Sequence, residues 1–285
     1  MKFTAIDFET ANASMLSACS IGVVEFEDNV PVKETITLIR PPEEYGKFNW
    51  YNVRIHGIKK NMVKDAPTFD QVWERIHSSI ENQLIVCHNA AFDTAVLCKL
   101  LEYYGIPVPN FDYVCTVKIS QLLWPEMQNH KLDTVCSDLD IRLNHHEALS
   151  DARACGLIFA QALKSQHCFQ TEDLMDALEM RIGHVSQAGR QSCSTSAEIR
   201  KKIQSEKKKQ ESRRRYYAKR RLTAEKGAKH SLETMYLNRR KSTAIWRPLM
   251  RKISASMRSS DTTPRTTSCL PCSASLYCPK FLYSN

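Results

Sequence analysis

No stretch of about 18 apolar residues occurs in this 285-residue chain, so it offers no candidate membrane span. The opening MKFTAIDFET places Asp7 and Glu9 where a secretory signal requires an unbroken apolar run, so no leader is expected there. A fourth zinc ligand is also missing. Cys269, Cys272 and Cys278 form a CxxC followed by a third cysteine, and no further Cys or His lies close enough to complete a tetrahedral set. No internal repeat is present, which leaves no ground for a repeat array. These absences point to a soluble, cytoplasmic protein. The cysteines agree: Cys19, Cys87, Cys98, Cys115, Cys136, Cys155 and Cys168 sit singly, mostly in apolar segments, and read as reduced core residues. Cys193 lies alone in a polar stretch and carries no such signal.

What is present is an uneven charge. The net charge is +9, but residues 1–196 hold 17 basic and 25 acidic side chains, whereas residues 197–258 hold 21 basic and 5 acidic. An acidic body therefore carries a basic tail. The expected division is 1–165 for the body, 166–196 for a connecting helix or linker, 197–258 for the tail and 259–285 for a polar terminus of low order.

Within the body, residues 2–9 read as a buried strand, followed by β-like runs at Cys19–Glu27 and Val30–Arg40 with a hairpin connection at 27–29. Phe69, Val72, Trp73, Ile76 and Ile80 recur at helical spacing and predict an amphipathic helix over 68–82. Leu84–Cys87 suits a buried strand. A helix from Ala91 to Tyr104 is stopped by Gly105 and Pro107. Val114–Leu123 reads as strand or strand-to-helix, Leu132–Leu139 as a short helix, Glu147–Leu163 as a longer one, and 170–182 as a last helix. From about Gly183 the composition is that of a tail. Strands followed by alternating helices and strands imply a mixed α/β sheet with helices on it.

The polar residues of this frame carry the chemistry. Asp7 and Glu9 are two apart on a strand, so both leave the same face. Either they share a site, or the strand ends at Ile6 and both are solvated. His88-Asn89-Ala90-Ala91-Phe92-Asp93 follows the buried run 84–87 and puts Asp93 in the first turn of a helix at a strand's C-terminal end, where open α/β sheets usually build sites. His146 precedes Asp151 by five residues, about 500° on one helix, so the two would diverge if both were helical. His146 is therefore expected in the loop before the helix, pointing back at the pocket that Asp151 lines.

DFET at 7–10, HNAAFD at 88–93 and HEALSDA at 146–152, in that order and spacing, resemble the three motifs of the DEDDh 3′–5′ exonucleases. The chain is most similar there to the proofreading (epsilon) subunit of bacterial DNA polymerase III and its stand-alone relatives. The likeness covers roughly residues 1–165, and Ile55-His56-Gly57-Ile58 and Asp65–Phe69 also look like the family's stretch between the first two motifs. The resemblance implies an α/β ribonuclease H-like fold, a mixed five-stranded sheet flanked by helices, here with a basic C-terminal extension. It also implies stepwise hydrolysis from a 3′ end. Four converging carboxylates raise one another's pKa and call for cations. Hard oxygen ligands suit two Mg²⁺ or Mn²⁺ ions rather than zinc. By the same likeness Asp7 bridges both ions, Glu9 and Asp151 complete the site of the attacking water, Asp93 serves the second ion, and His146, rather than His145, is the general base.

Other positions leave alternatives open. Thr10 meets the terminal nucleotide's sugar or is a turn residue. Asn89 contacts a phosphate or holds its turn, and His56 lines the substrate cleft or is structural. Phe8 and Phe92 read as core, while Trp50 and Tyr51 sit where they could edge a cleft. The tail, EIRKKIQSEKKKQESRRRYYAKRRLTAEKGAKH, fits a long solvated helix or a disordered charged arm, and either form can bind nucleic acid. Expected partners are nucleic acids with single-stranded or frayed 3′ ends, with a DNA polymerase as a further candidate and no membrane. Two rivals stand beside a DNA exonuclease: an exoribonuclease of the same superfamily, and a catalytically silent nucleic-acid-binding protein.

Overall fold

The computed structural model describes residues 1–257, so the expected polar terminus 259–285, with Cys269, Cys272 and Cys278, lies outside the described residues. In chain order the elements are β1 (Lys2–Thr10), β2 (Ala18–Glu27), β3 (Val30–Leu38), α1 (Trp50–His56), α2 (Phe69–Ile76), β4 (Leu84–Cys87), α3 (Ala91–Tyr103), β5 (Phe111–Cys115), α4 (Thr116–Leu123), α5 (Leu132–Asp138), α6 (Ala148–Ser165), α7 (Thr171–Ala177), β6 (Met180–Arg181), β7 (Gly183–Ser186), β8 (Gly189–Gln191), β9 (Ser194–Thr195) and α8 (Ser196–Met257). The chain divides after Lys207 into two units. The second, as far as it is described, is helix.

The sheet runs β3-β2-β1-β4-β5-β7-β8. β1, β2 and β3 form an antiparallel meander, and β4 and β5 join in parallel. The hairpin expected at 27–29 is present, but β2 runs through Glu27 and leaves a two-residue turn: Asp28 and Asn29 both have positive φ (49° and 67°), as a type I′ turn requires. The five expected strands are thus present, and two short ones extend the sheet. Here the sequence reading needs correcting: the segment after Gly183, read as the start of the tail, pairs antiparallel with β5 through Val185↔Phe111 and returns as β8. Strands of three and four residues have too few side chains to show a period.

α6 is the central helix and packs on β1 and β2. Phe3 stacks on Phe26 with centroids 4.6 Å apart and meets Phe159 edge-on at 5.1 Å. Gly156 lets the helix approach this cluster, since a Cβ there would lie 2.2 Å from the Phe26 ring. Thr68 opens α2 with a capping box, its backbone N–H donating to Gln71 Oε1. Cys19, Cys87, Cys115, Cys136 and Cys155 are buried free thiols as expected, Cys98 and Cys168 are half-buried, and Cys193 proves to be buried as well. Among the described residues no helix is long and apolar enough to cross a membrane.

Candidate active site

β1 runs without a break to Thr10, so Asp7 and Glu9 do share one face of a strand, half-buried between buried Ile6, Phe8 and Thr10. β4 lies parallel beside it, with Thr4↔Ile85 and Ala5↔Val86 in register, so both strands point their C-terminal ends the same way. The chain leaves β4 through Asn89, which adopts φ +64°, and enters α3 at Ala91. Asp93, in the first turn, is only 1% exposed, and its Oδ1 accepts a hydrogen bond from the backbone N–H of Phe8 at 3.1 Å. That bond ties the start of α3 to β1 between the two acids.

The third arm arrives with α6. Glu147 caps the helix, its side chain accepting from Ser150 N. His146 stands just before it in a left-handed conformation, φ +70°. The His146 backbone N–H donates to Asp151 Oδ2 at 3.0 Å, so the chain turns back over the helix start as the five-residue offset implied. The ligand atoms of Asp7, Glu9 and Asp151 lie within 4.8 Å of one another, and so do those of His145, His146 and Asp151. The two imidazoles stack with centroids 3.7 Å apart. Asp93 approaches the same acids from the α3 side. All five expected residues are therefore brought together.

Their electrostatics follow from crowding. Burial, with the like charges of Asp93, Asp151 and Glu9, holds the Asp7 carboxyl well above its usual range. Burial, with Asp151 and Asp93 as neighbours, pushes Glu9 to about 8. Burial raises Asp93 and Asp151 to about 7 each, against hydrogen bonds from Phe8 N and His146 N that pull the other way. The imidazole of His146 moves down, chiefly through burial and then through the proximity of His145 and His56. That direction favours the neutral imidazole.

Do these residues fit a pair of divalent cations? Among the described residues, buried Asp151 Oδ1 has no hydrogen-bond partner, which costs free energy unless something positive meets it. It faces a set of hard carboxylate oxygens whose raised pKa values express an unmet need for positive charge. The donor set fits divalent metal ions.

The carbonyl of buried Thr10 accepts from Asn52 Nδ2 at 2.9 Å and pairs with His56 Nε2 at 3.2 Å. Since His56 Nδ1 accepts from Ile58 N, its Nε2 carries the proton and donates to Thr10. His56 thus closes α1 against the end of β1. Asn89 is exposed in its turn, and its carbonyl accepts from Phe92 N. Phe8 is core and Phe92 packs against it. Trp50 and Tyr51 are exposed on α1, with the Arg54 guanidinium over the Trp50 ring.

Two further residues, His88 at the head of the second motif and Gly22, which the motifs do not include, shape the site. His88 bridges the end of β4 to later segments through Thr116 Oγ1 and the His130 carbonyl, and burial lowers it to about 4. Gly22, directly opposite Asp7 in the β1–β2 ladder, leaves room for the backbone of Ala148 at the start of α6. An isolated glycine in a strand of Val, Ile and Phe is the kind of signal that marks such close approach.

A family model for exonucleases, RNase_T, matches residues 4–159, more than half of the chain and all of this site. The chain belongs to the RNase_T exonuclease family. Relatives include the PolC-type DNA polymerase III of Bacillus cereus, 34% identical over 39% of this chain and 8% of the relative, and that of Caldanaerobacter subterraneus, 29% identical over 57% and 12%. The 3′-5′ exonuclease DinG of Bacillus subtilis is 27% identical over 57% of this chain and 18% of its own length. The chain thus spans less than a fifth of the length of each. E. coli exonuclease I in complex with an oligonucleotide shares the fold with a TM-score of 0.51 at 14% identity, covering 62% of this chain and 42% of that one. A full-length 3′-exonuclease gives 0.51 at 16% identity over 68% and 91%. This exonuclease-family chain therefore shares the mixed α/β sheet of these nucleases.

Proposed function

We propose that the chain removes nucleotides one at a time from 3′ ends of DNA, with two divalent cations held by Asp7, Glu9, Asp93 and Asp151 and with His146 as general base. The observation that carries this reading is the convergence of Asp7, Glu9 and Asp151 within 4.8 Å around an unpartnered, buried carboxylate oxygen, with His146 bound to the same Asp151. Bound cations would offset the carboxylates and stabilise charge on the attacking and leaving oxygens of an in-line displacement.

The chain's own residues do the rest. His146, neutral at pH 7, accepts one proton from the water whose oxygen attacks the terminal phosphorus. The bond from phosphorus to O3′ breaks, a nucleoside 5′-monophosphate leaves, and the new 3′ oxygen takes a proton from solvent. The imidazolium left on His146 is adjacent to Asp151, which stabilises it until it loses the proton to bulk water. Asn52 and His56 hold the Thr10 carbonyl, which fixes the end of β1 beyond Glu9.

The test is digestion of 5′-labelled single-stranded DNA, duplex DNA and RNA with Mg²⁺, Mn²⁺ or EDTA. The expected result is a ladder shortening from the 3′ end of DNA, dependent on the cation and abolished by EDTA. Digestion that persists in EDTA would sink the metal assignment, and a preference for RNA would transfer the activity to the exoribonuclease rival.

A further inference from the structure

Among its described side chains, the cationic part of α8 shows no apolar docking face. Between Lys208 and Lys229 it carries ten basic and two acidic residues. At about 100° per residue these cations fall into columns along the helix. Lys208, Arg215 and Lys219 form one. Lys209, Arg213 and Arg220 form a second about 120° round, and Arg214 and Arg221 a third on the remaining side. All eight side chains are exposed. The aromatic residues in this stretch do not supply an apolar stripe: Tyr216 has the Arg220 guanidinium over its ring at 5.9 Å, and Tyr217 sits edge-on to Tyr216 with centroids 5.6 Å apart.

A helix that docks on a protein surface or a membrane spends one side on the contact and needs apolar residues there. Positive charge on three sides suits a ligand that presents negative charge on both flanks at once. The major groove of duplex DNA does so: it is about 12 Å wide, a helix with its side chains measures about 10–12 Å, and phosphates line both walls. The deep, narrow major groove of duplex RNA does not admit a helix with its side chains, and a single strand has no second wall. Residues 1–196, with their acidic excess, repel a phosphate backbone at long range, which leaves the holding to the basic segment.

We infer that α8 between Lys208 and Lys229 seats in the major groove of duplex DNA and holds it through phosphates on both walls, without reading sequence. This inference stands on the charge distribution of the chain and the helix, and does not use the exonuclease chemistry.

The test is fluorescence anisotropy with the full chain in EDTA, where metal-dependent digestion cannot proceed. The probes are a labelled 20-bp DNA duplex, one of its strands, and the matching RNA duplex, across 50–200 mM KCl. Two variants are compared: R213Q/R214Q/R215Q/K219Q/R220Q/R221Q, and R213K/R214K/R215K/R220K/R221K, which keeps the charge. The wild type should bind DNA duplex most tightly. The glutamine variant should bind about 100-fold more weakly at 50 mM, and its salt slope should flatten by about 0.9 for each phosphate it no longer neutralises. The lysine variant should keep the slope. Circular dichroism reports whether the glutamine variant keeps its helix; if it does not, the lysine variant and the ranking of the three probes decide. Equal slopes for wild type and a helical glutamine variant overturn the inference, as does tighter binding of the single strand or the RNA duplex. Absence of digestion in the Mn²⁺ assay would sink the exonuclease reading and leave this one standing.

Discussion

A Cβ placed on Gly22 would lie 2.1 Å from the carbonyl oxygen of Ala148 and 2.6 Å from the backbone nitrogen of Leu149. Gly22 is also the ladder partner of Asp7. One absent methyl group therefore sets how closely the start of α6, and with it Asp151, approaches the strand that carries Asp7 and Glu9. The neighbour is backbone, so no rotamer change can relieve the clash. Gly22→Ala should destabilise the fold by about 1–3 kcal/mol, the usual cost of overpacking. It should also lower turnover by as much as about 100-fold through displacement of Asp151. Thermal denaturation and steady-state kinetics on the same preparation check both, and a variant with unchanged turnover would show that the approach of α6 does not position the site.

Asp7 sits where burial and three other carboxylates oppose its ionisation. Asp7→Asn removes a carboxyl whose ionisation the metal-free fold opposes. In EDTA at pH 8 the variant should therefore melt higher than the wild type, by about 2–4 °C for a gain of about 1 kcal/mol. Digestion should fall to background in any cation, and the rise in melting temperature that Mn²⁺ gives the wild type should shrink. A variant that melts lower in EDTA would mean that Asp7 is a structural anchor rather than a poised ligand.

These relationships differ in how far the chain's letters reveal them. The two-residue spacing of Asp7 and Glu9, the strand-to-helix passage into Asp93 and the offset of His146 from Asp151 are local, and strand and helix periods convert them into shared faces and turns. The hairpin at Asp28-Asn29 is legible for the same reason. α1 is hidden because its seven residues lack an apolar stripe, although Asn49 and Gly57 cap it. β7 and β8 owe their existence to the free edge of β5, some 70 residues earlier in the chain. The significance of Gly22 depends on Ala148, 126 positions away, so no local pattern could show what it accommodates.

The raised carboxylates give the metal-free protein a defined pH response. Glu9 near 8 and Asp93 and Asp151 near 7 lie above the values these groups have in an unfolded chain, 4.5 for Glu and 3.8 for Asp. Where the folded pKa is raised, the folded state holds more protons and stability falls as pH rises towards that pKa. The lowered histidines act oppositely, but only below about 6.5, where the unfolded chain's imidazoles still bind protons. Between about pH 6.5 and 8 the carboxylates therefore dominate. The melting temperature in EDTA should decline across that window. With saturating Mn²⁺ the gap between the two curves should widen, because ions compete with protons for the same oxygens. A melting temperature in EDTA that rises from pH 6.5 to 8 would contradict the crowding of these acids.

His146 and His145 stack face to face beside Asp151, yet only His146 has its backbone N–H on the Asp151 carboxylate and only His146 is half-buried. Two imidazoles at that distance disfavour a shared positive charge, and both lie below the usual histidine range, burial being the larger cause for each. A general base in this position should be deprotonated through the neutral range, so the rate should rise with pH below about 6.5 and then level off. His146→Ala should reduce turnover by about 10²–10⁴-fold while leaving the melting temperature and Mn²⁺ binding close to wild type. His145→Ala should cost less than ten-fold, about the effect of removing a neighbour's repulsion, and should shift the acidic limb of the rate profile upward in pH, since His146 would then hold its proton more readily. If His145→Ala proves the more damaging of the two, the base is His145 and the role of His146 is to shape the loop.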